Sequence, residues 1–197
     1  MNTKNFKIKK CSFKMDVKST LIYVLIGMLS MFSISCGGND DGPSDLNPGA
    51  AAADITLTAG GQEFKVVGPC GWAVAGGANY IGANHAANSL RTFSAFFNIT
   101  TLPTVTTTYT LVESSTDTNP NHINMNISEI AGSTLTEWSS KDTSGTLTLM
   151  VNGNTVTANL AGITLYPQTT SGVFTNGNVG AFANNGALTG TLIFYRQ

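Results

Sequence analysis

The chain has 197 residues, 42% of them apolar and 11% charged, and ten basic against eleven acidic side chains leave a net charge of −1. That length suits one domain with appendages, and the composition excludes collagen-like and charge-rich disordered chains. A near-neutral balance also excludes a generic nucleic-acid binder, which needs a basic surface.

The charges are segregated. Lys4, Lys7, Lys9, Lys10, Lys14 and Lys18 hold six of the ten positive charges. Uncharged residues follow from Ser19 to Ser35, with an apolar centre in Leu21-Ile22-Tyr23-Val24-Leu25-Ile26. A basic flank, a short apolar run and then small residues are the parts of a secretory signal. A transmembrane anchor wants about 20 mainly apolar residues, and Ser30, Ser33 and Ser35 dilute the second half of this run. The expectation is a signal peptide over residues 1–35, with Met1 and Met15 both open as its start.

The end of that run, Ser33-Ile34-Ser35-Cys36, resembles a bacterial lipobox, with Ser33 where leucine is usual. The resemblance implies lipid attachment at Cys36, through a diacylglyceryl group on its thiol, and anchorage in the outer membrane on its periplasmic or cell-surface face. The alternative is an ordinary signal with an incidental cysteine. Acyl chains contribute about 0.8 kcal/mol per buried methylene, so two or three of them hold a soluble domain stably. Residues 36–54 then comprise the lipidated cysteine and a flexible tether, opening Gly37-Gly38-Asn39-Asp40-Asp41-Gly42-Pro43. Acidic residues so soon after the cysteine resemble the surface-export signal of Bacteroidota lipoproteins; solvation of a linker is the other reading. Without residues 1–35, four cations (Lys65, Arg91, Lys141, Arg196) face ten carboxylates, a net charge of −6. Any contact with membrane is therefore through the lipid alone.

Residues 55–197 read as a β domain, large enough for one core. Phe93, Ala95, Phe97 and Ile99 alternate with more polar neighbours, as do Ile123, Met125 and Ile127, and Leu188, Gly190, Leu192 and Phe194. No long segment carries apolar residues at helical spacing. Further strands are expected over residues 55–58, 62–67, 71–75, 79–83, 134–139 and 162–166. The clearest hairpin joins residues 145–151 to 155–160 across Asn152-Gly153-Asn154, a turn sequence that supplies positive φ angles. A Gly153-Asn154 loop pairs Val151 with Val156 and Leu149 with Ala158, and is preferred to Asn152-Gly153 because it pairs more apolar surface. The fold class expected is all-β, an antiparallel β-sandwich of about nine or ten short strands, with a lipocalin-like barrel as the alternative.

Chemistry-bearing residues are sparse. Cys70, in Pro69-Cys70-Gly71-Trp72, resembles the Cys-Gly start of papain-like active sites, but a thiolate needs a helix N-terminus or an imidazolium beside it. His85 and His122 are isolated, so no metal or cofactor is expected. Asp117, Asn119 and Asn121 stand on alternate residues like the start of a calcium loop, yet His122 occupies the position that wants glycine; a solvated Asx turn is the simpler reading. Glu129 and Glu137 flank an expected turn and could converge as a hydrolase pair, with solvent exposure as the default reading. Trp138, Trp72 and Tyr80, with Tyr166 and Tyr195, are candidates for a platform that stacks sugar rings, Trp138 because its neighbours Thr136, Glu137, Ser139 and Ser140 are polar. A place in the core is the competing reading, preferred for Trp138 and Trp72 and, on alternation, for Tyr109.

The run from Tyr109-Thr110-Leu111 through Trp138 to Ser144-Gly145-Thr146-Leu147-Thr148-Leu149, with Leu188-Thr189-Gly190-Thr191-Leu192, resembles small outer-membrane lipoproteins of the Bacteroidota with an exported β-sandwich domain. The resemblance brings no catalytic residues. It implies a lipid-anchored envelope protein with a non-catalytic binding or interaction domain, its partner a glycan or an envelope protein. Carriage of an apolar ligand, and hydrolysis through Cys70 or a carboxylate pair, are the competing expectations.

Overall fold

The computed structural model of the protein describes residues 51–75, 78–113, 117–169 and 173–196. The expected signal peptide, Cys36 and most of the tether lie outside these residues. The described chain is all-β, with thirteen strands where nine or ten are expected. They are β1 (Ala52–Ala59), β2 (Gln62–Gly68), β3 (Cys70–Ala75), β4 (Ala78–His85), β5 (Asn88–Phe97), β6 (Thr107–Leu111) and β7 (His122–Ala131). There follow β8 (Thr134–Ser139), β9 (Thr146–Asn152), β10 (Thr155–Asn159), β11 (Thr164–Pro167), β12 (Thr175–Asn176) and β13 (Gly186–Tyr195). The surplus comes mainly from short pieces such as β12, only two residues long. A 3₁₀ turn, Gly180–Ala183, precedes β13.

The architecture is sandwich-like. One run of pairings is β2-β1-β13-β10-β9-β6 and the other β3-β4-β5-β7-β8, with β11 and β12 on the outer edge of β8. Strands join the two: β11 pairs with both β13 and β8, and β6 pairs with β7. At the other margin the chain crosses at Pro69, which has no N–H for a ladder. There β2 leaves β1 and β3 takes up β4, while Val67 O and Pro69 O accept from the N–H groups of Ala86 (2.8 Å) and Asn84 (3.2 Å). Pairing is antiparallel, as expected, except at two short contacts, β6–β7 and β12–β8, which make the sheet mixed.

The β9–β10 hairpin has the register with Gly153-Asn154 as its loop: Val156 faces Val151 and Ala158 faces Leu149. Strand β1 begins three residues before the expected domain boundary. Ala52 and Ala53 look like linker in sequence, yet they continue the alternation and pair with Ile193 and Leu192, and Ala53 is buried.

Inward residues from both runs form one core, including Ile55, Leu57, Phe93, Met125, Ile127, Leu149 and Phe194. At one end it is closed by Phe64, Trp138 and Phe182, whose rings meet edge-on. At the other end Trp72 packs on Phe97, with centroids 5.2 Å apart, and Phe97 meets Tyr109 edge-on. The Trp72 end carries the cavity described next.

Candidate functional site

Four segments converge at that end. Strand β3 brings Cys70, Gly71 and Trp72; the end of β13 brings Phe194, Tyr195 and Arg196; the loop after β5 brings Thr100, Thr101 and Leu102; and Ala51 leads into β1. They enclose a cavity of about 470 Å³, towards the lower end of the range for ligand pockets. Trp72 is half-buried, its inner side fixed against Phe97, so its ring enters the wall already ordered. Arg196 is half-buried too, and its backbone N–H is tied to Asn154 O at 2.8 Å, which fixes the last turn of the wall.

Cys70 stands in this wall as a neutral thiol. Burial pushes its pKa up to about 11, against a smaller opposing effect of the contact between its Sγ and Ile193 O at 3.3 Å. No histidine lines the cavity among the described residues. His85 Nδ1 accepts from Val67 N–H, and His122 is engaged by Asp117. The likeness to a papain-type cysteine therefore ends at the sequence, because neither an imidazole nor a helix N-terminus is there to generate a thiolate.

Trp138, Trp72 and Tyr80 do not assemble into a platform. Of these three, only Trp72 lines the cavity. Trp138 is fully buried, with its Nε1 donating to Asn184 O at 3.1 Å, so it offers no face to a ligand; the exposed-platform expectation is corrected. Its apolar companions, Phe64 and Phe182, come from distant parts of the chain. Tyr80 is buried against Phe96 and points to the opposite face of β4 from Ile81, the partner of Trp72. It too is corrected as a platform residue.

The carboxylate pair also separates. Glu129 faces Thr136 across the β7–β8 ladder while Glu137 faces Ser128, so their side chains leave opposite faces of the sheet. Glu129 binds Arg91 (Nη2 to Oε2, 2.7 Å) and Asn88 (2.7 Å), and the Arg91 guanidinium lies 4.4 Å over the Phe64 ring. This is a structural tie between β5, β7 and β2. Glu137 is buried beside Ser128 with no cation paired to it among the described residues, and burial pushes its pKa up to about 7.

Asp117, Asn119 and Asn121 form consecutive Asx turns. Asp117 Oδ1 accepts from Asn119 N–H at 2.7 Å and Asn119 Oδ1 from Asn121 N–H at 2.9 Å, while Asp117 Oδ2 contacts His122 Nδ1 at 2.7 Å. The hydrogen bond from His122 and then that from Asn119 hold the Asp117 carboxyl below its usual range. These oxygens are turned to their own backbone and to an imidazole, not towards a shared centre. Among the described residues no three histidines, cysteines or carboxylates cluster to hold a metal.

Sequence reasoning raised Tyr195 as a platform aromatic and missed Arg196 and the Thr100–Leu102 loop. Only the position of Arg196, one of four cations in the β domain, carried a hint. No protein-family model, no curated protein and no solved structure matches the chain.

Proposed function

We propose that the protein is a lipid-anchored envelope lipoprotein whose β domain binds a glycan in the cavity beside Trp72. The observation that carries this reading is the cavity itself. It sets an indole, braced by Phe97, in a wall shared with Tyr195, Thr100 and Thr101. Sugars present an apolar C–H face and a hydroxyl rim, and this wall offers a partner for each. The neutral state of Cys70 and the divergence of Glu129 and Glu137 favour binding over hydrolysis.

Tryptophan emission tests the proposal, because Trp138 is sealed in the core and acts as an internal constant. The full chain, purified in detergent micelles, is titrated with neutral and acidic oligosaccharides. The expected result is a saturable change in emission that disappears in Trp72→Phe and binding that is lost in Trp72→Ala. Binding unaffected by Trp72→Ala overturns the site. Failure of every oligosaccharide, together with saturable uptake of an apolar dye, overturns the glycan reading in favour of an apolar carrier.

A further inference from the structure

We infer that the cavity selects a sugar ring bearing a carboxylate, a hexuronic acid, with Arg196 as the residue that reads the charge. This rests on the glycan reading above and adds to it the class of sugar. Among the residues lining the cavity, Arg196 is the single ionised side chain: no carboxylate is present, and Cys70 keeps its proton. Elsewhere in the domain cations are engaged. Lys65 pairs with Glu63, Arg91 with Glu129, and the Lys141 ammonium lies 5.2 Å over the Tyr166 ring. No ion pair involves Arg196 among the described residues. A half-buried guanidinium with no ion pair among the described residues stands out where those residues hold seven carboxylates to four cations.

The chemistry follows from the fork of donors on a guanidinium, which matches the two oxygens of a carboxylate and is fixed in its charge at any physiological pH. Partial burial lowers the local dielectric, so one ion pair here counts for more than the same pair at an open surface. Trp72 takes the flat face of the ring and Arg196 its acidic edge. The position of the site matters as well. Ala51 belongs to the cavity wall, and fourteen residues lie between it and Cys36. With Cys36 lipidated, the extended chain holds the cavity within about 50 Å of the bilayer, so the acidic glycans within reach are those of the same envelope.

The test uses the full chain in detergent micelles, titrated with a trimer of galacturonic acid and with the neutral galactose trimer, at low and at high salt. At low salt the acidic trimer is expected to bind about tenfold more tightly than the neutral one, the difference a charge-assisted contact makes. High salt narrows that gap. Arg196→Gln brings the acidic trimer down to the affinity of the neutral one, and Arg196→Lys restores part of the difference. Equal binding of both trimers, each abolished by Trp72→Ala, overturns the charge selection and leaves the glycan site standing. Binding of neither overturns both. The salt dependence of the wild-type chain gives an answer even if the Arg196 variants fold poorly.

Discussion

Glu137 shows how a β ladder can isolate a single ionisable group. Its backbone is fully used, with the N–H donating to Asn178 Oδ1 and the carbonyl accepting from Gln168 N–H. The carboxyl has no cationic partner among the described residues and is only 8% exposed, and burial pushes its pKa from 4.5 to about 7. Below pH 4.5 folded and unfolded chains both carry the proton, so Glu137 costs nothing. Between 4.5 and 7 the unfolded chain releases a proton that the folded chain keeps, and stability falls as pH rises. Above 7 the penalty is constant, roughly 3 kcal/mol from the size of the shift. Glu137→Gln is therefore expected to be nearly neutral in urea unfolding at pH 4 and to stabilise by up to about 3 kcal/mol at pH 8. The same effect at both pH values would show that the carboxylate stays hydrated. Trp138, the adjacent residue, shows where local sequence misleads. Its neighbours along the chain are polar, and what buries it are Phe64 and Phe182, which only the closed fold brings near. Alternation tells which side of a strand a residue takes but not what covers that side.

Two glycines separate turn chemistry from close packing. Gly153, in the β9–β10 loop, has φ +59 with open space where a Cβ would stand. Gly190, inside β13, has φ +109, and a Cβ there would stand 1.9 Å from Asp54 O on β1. It lies where the edge of β13 passes from β11 to β10, and its carbonyl accepts from Leu160 N–H. Gly153→Ala is expected to cost about 1 kcal/mol, the ordinary penalty for a left-handed residue. Gly190→Ala adds a backbone clash and is expected to cost about 3 kcal/mol or more. Urea midpoints for the two variants decide this, and equal losses would show that β1 moves aside without penalty. Gly153 is legible in the sequence, since Asn-Gly-Asn between two alternating runs specifies a hairpin, and the pairing of apolar surface favours the observed one of its two registers. Gly190 resembles any inward position in Leu188-Thr189-Gly190-Thr191-Leu192, because its constraint comes from β1, far away along the chain. The parallel contacts β6–β7 and β12–β8 were illegible for the same reason. Only two residue pairs define each, too few for a pattern to announce.

Charge ties the domain to its setting. With residues 1–35 removed, as the proposed lipobox requires, the net charge of −1 becomes −6, because six of the ten cations precede Cys36. Such a domain is repelled by an anionic bilayer surface, and among the described residues no helix is long and apolar enough to cross one. Within the described residues most strand edges are taken: β7 and β13 are each paired along both sides, and β1 lies between β13 and β2. That leaves little free ladder for edge-to-edge association. Under the proposed lipidation, acyl chains on Cys36 supply membrane attachment at about 0.8 kcal/mol per buried methylene. Metabolic labelling with an alkyne-tagged fatty acid gives a direct reading of this. The wild-type chain and the Cys11→Ser and Cys70→Ser variants are expected to take up label, since Cys11 precedes the lipobox and Cys70 is enclosed in the β domain. Cys36→Ser is expected to take up none, and to keep residues 1–35, visible as added mass. Label that persists in Cys36→Ser would overturn the lipobox reading and return residues 19–35 to the alternative of a membrane anchor.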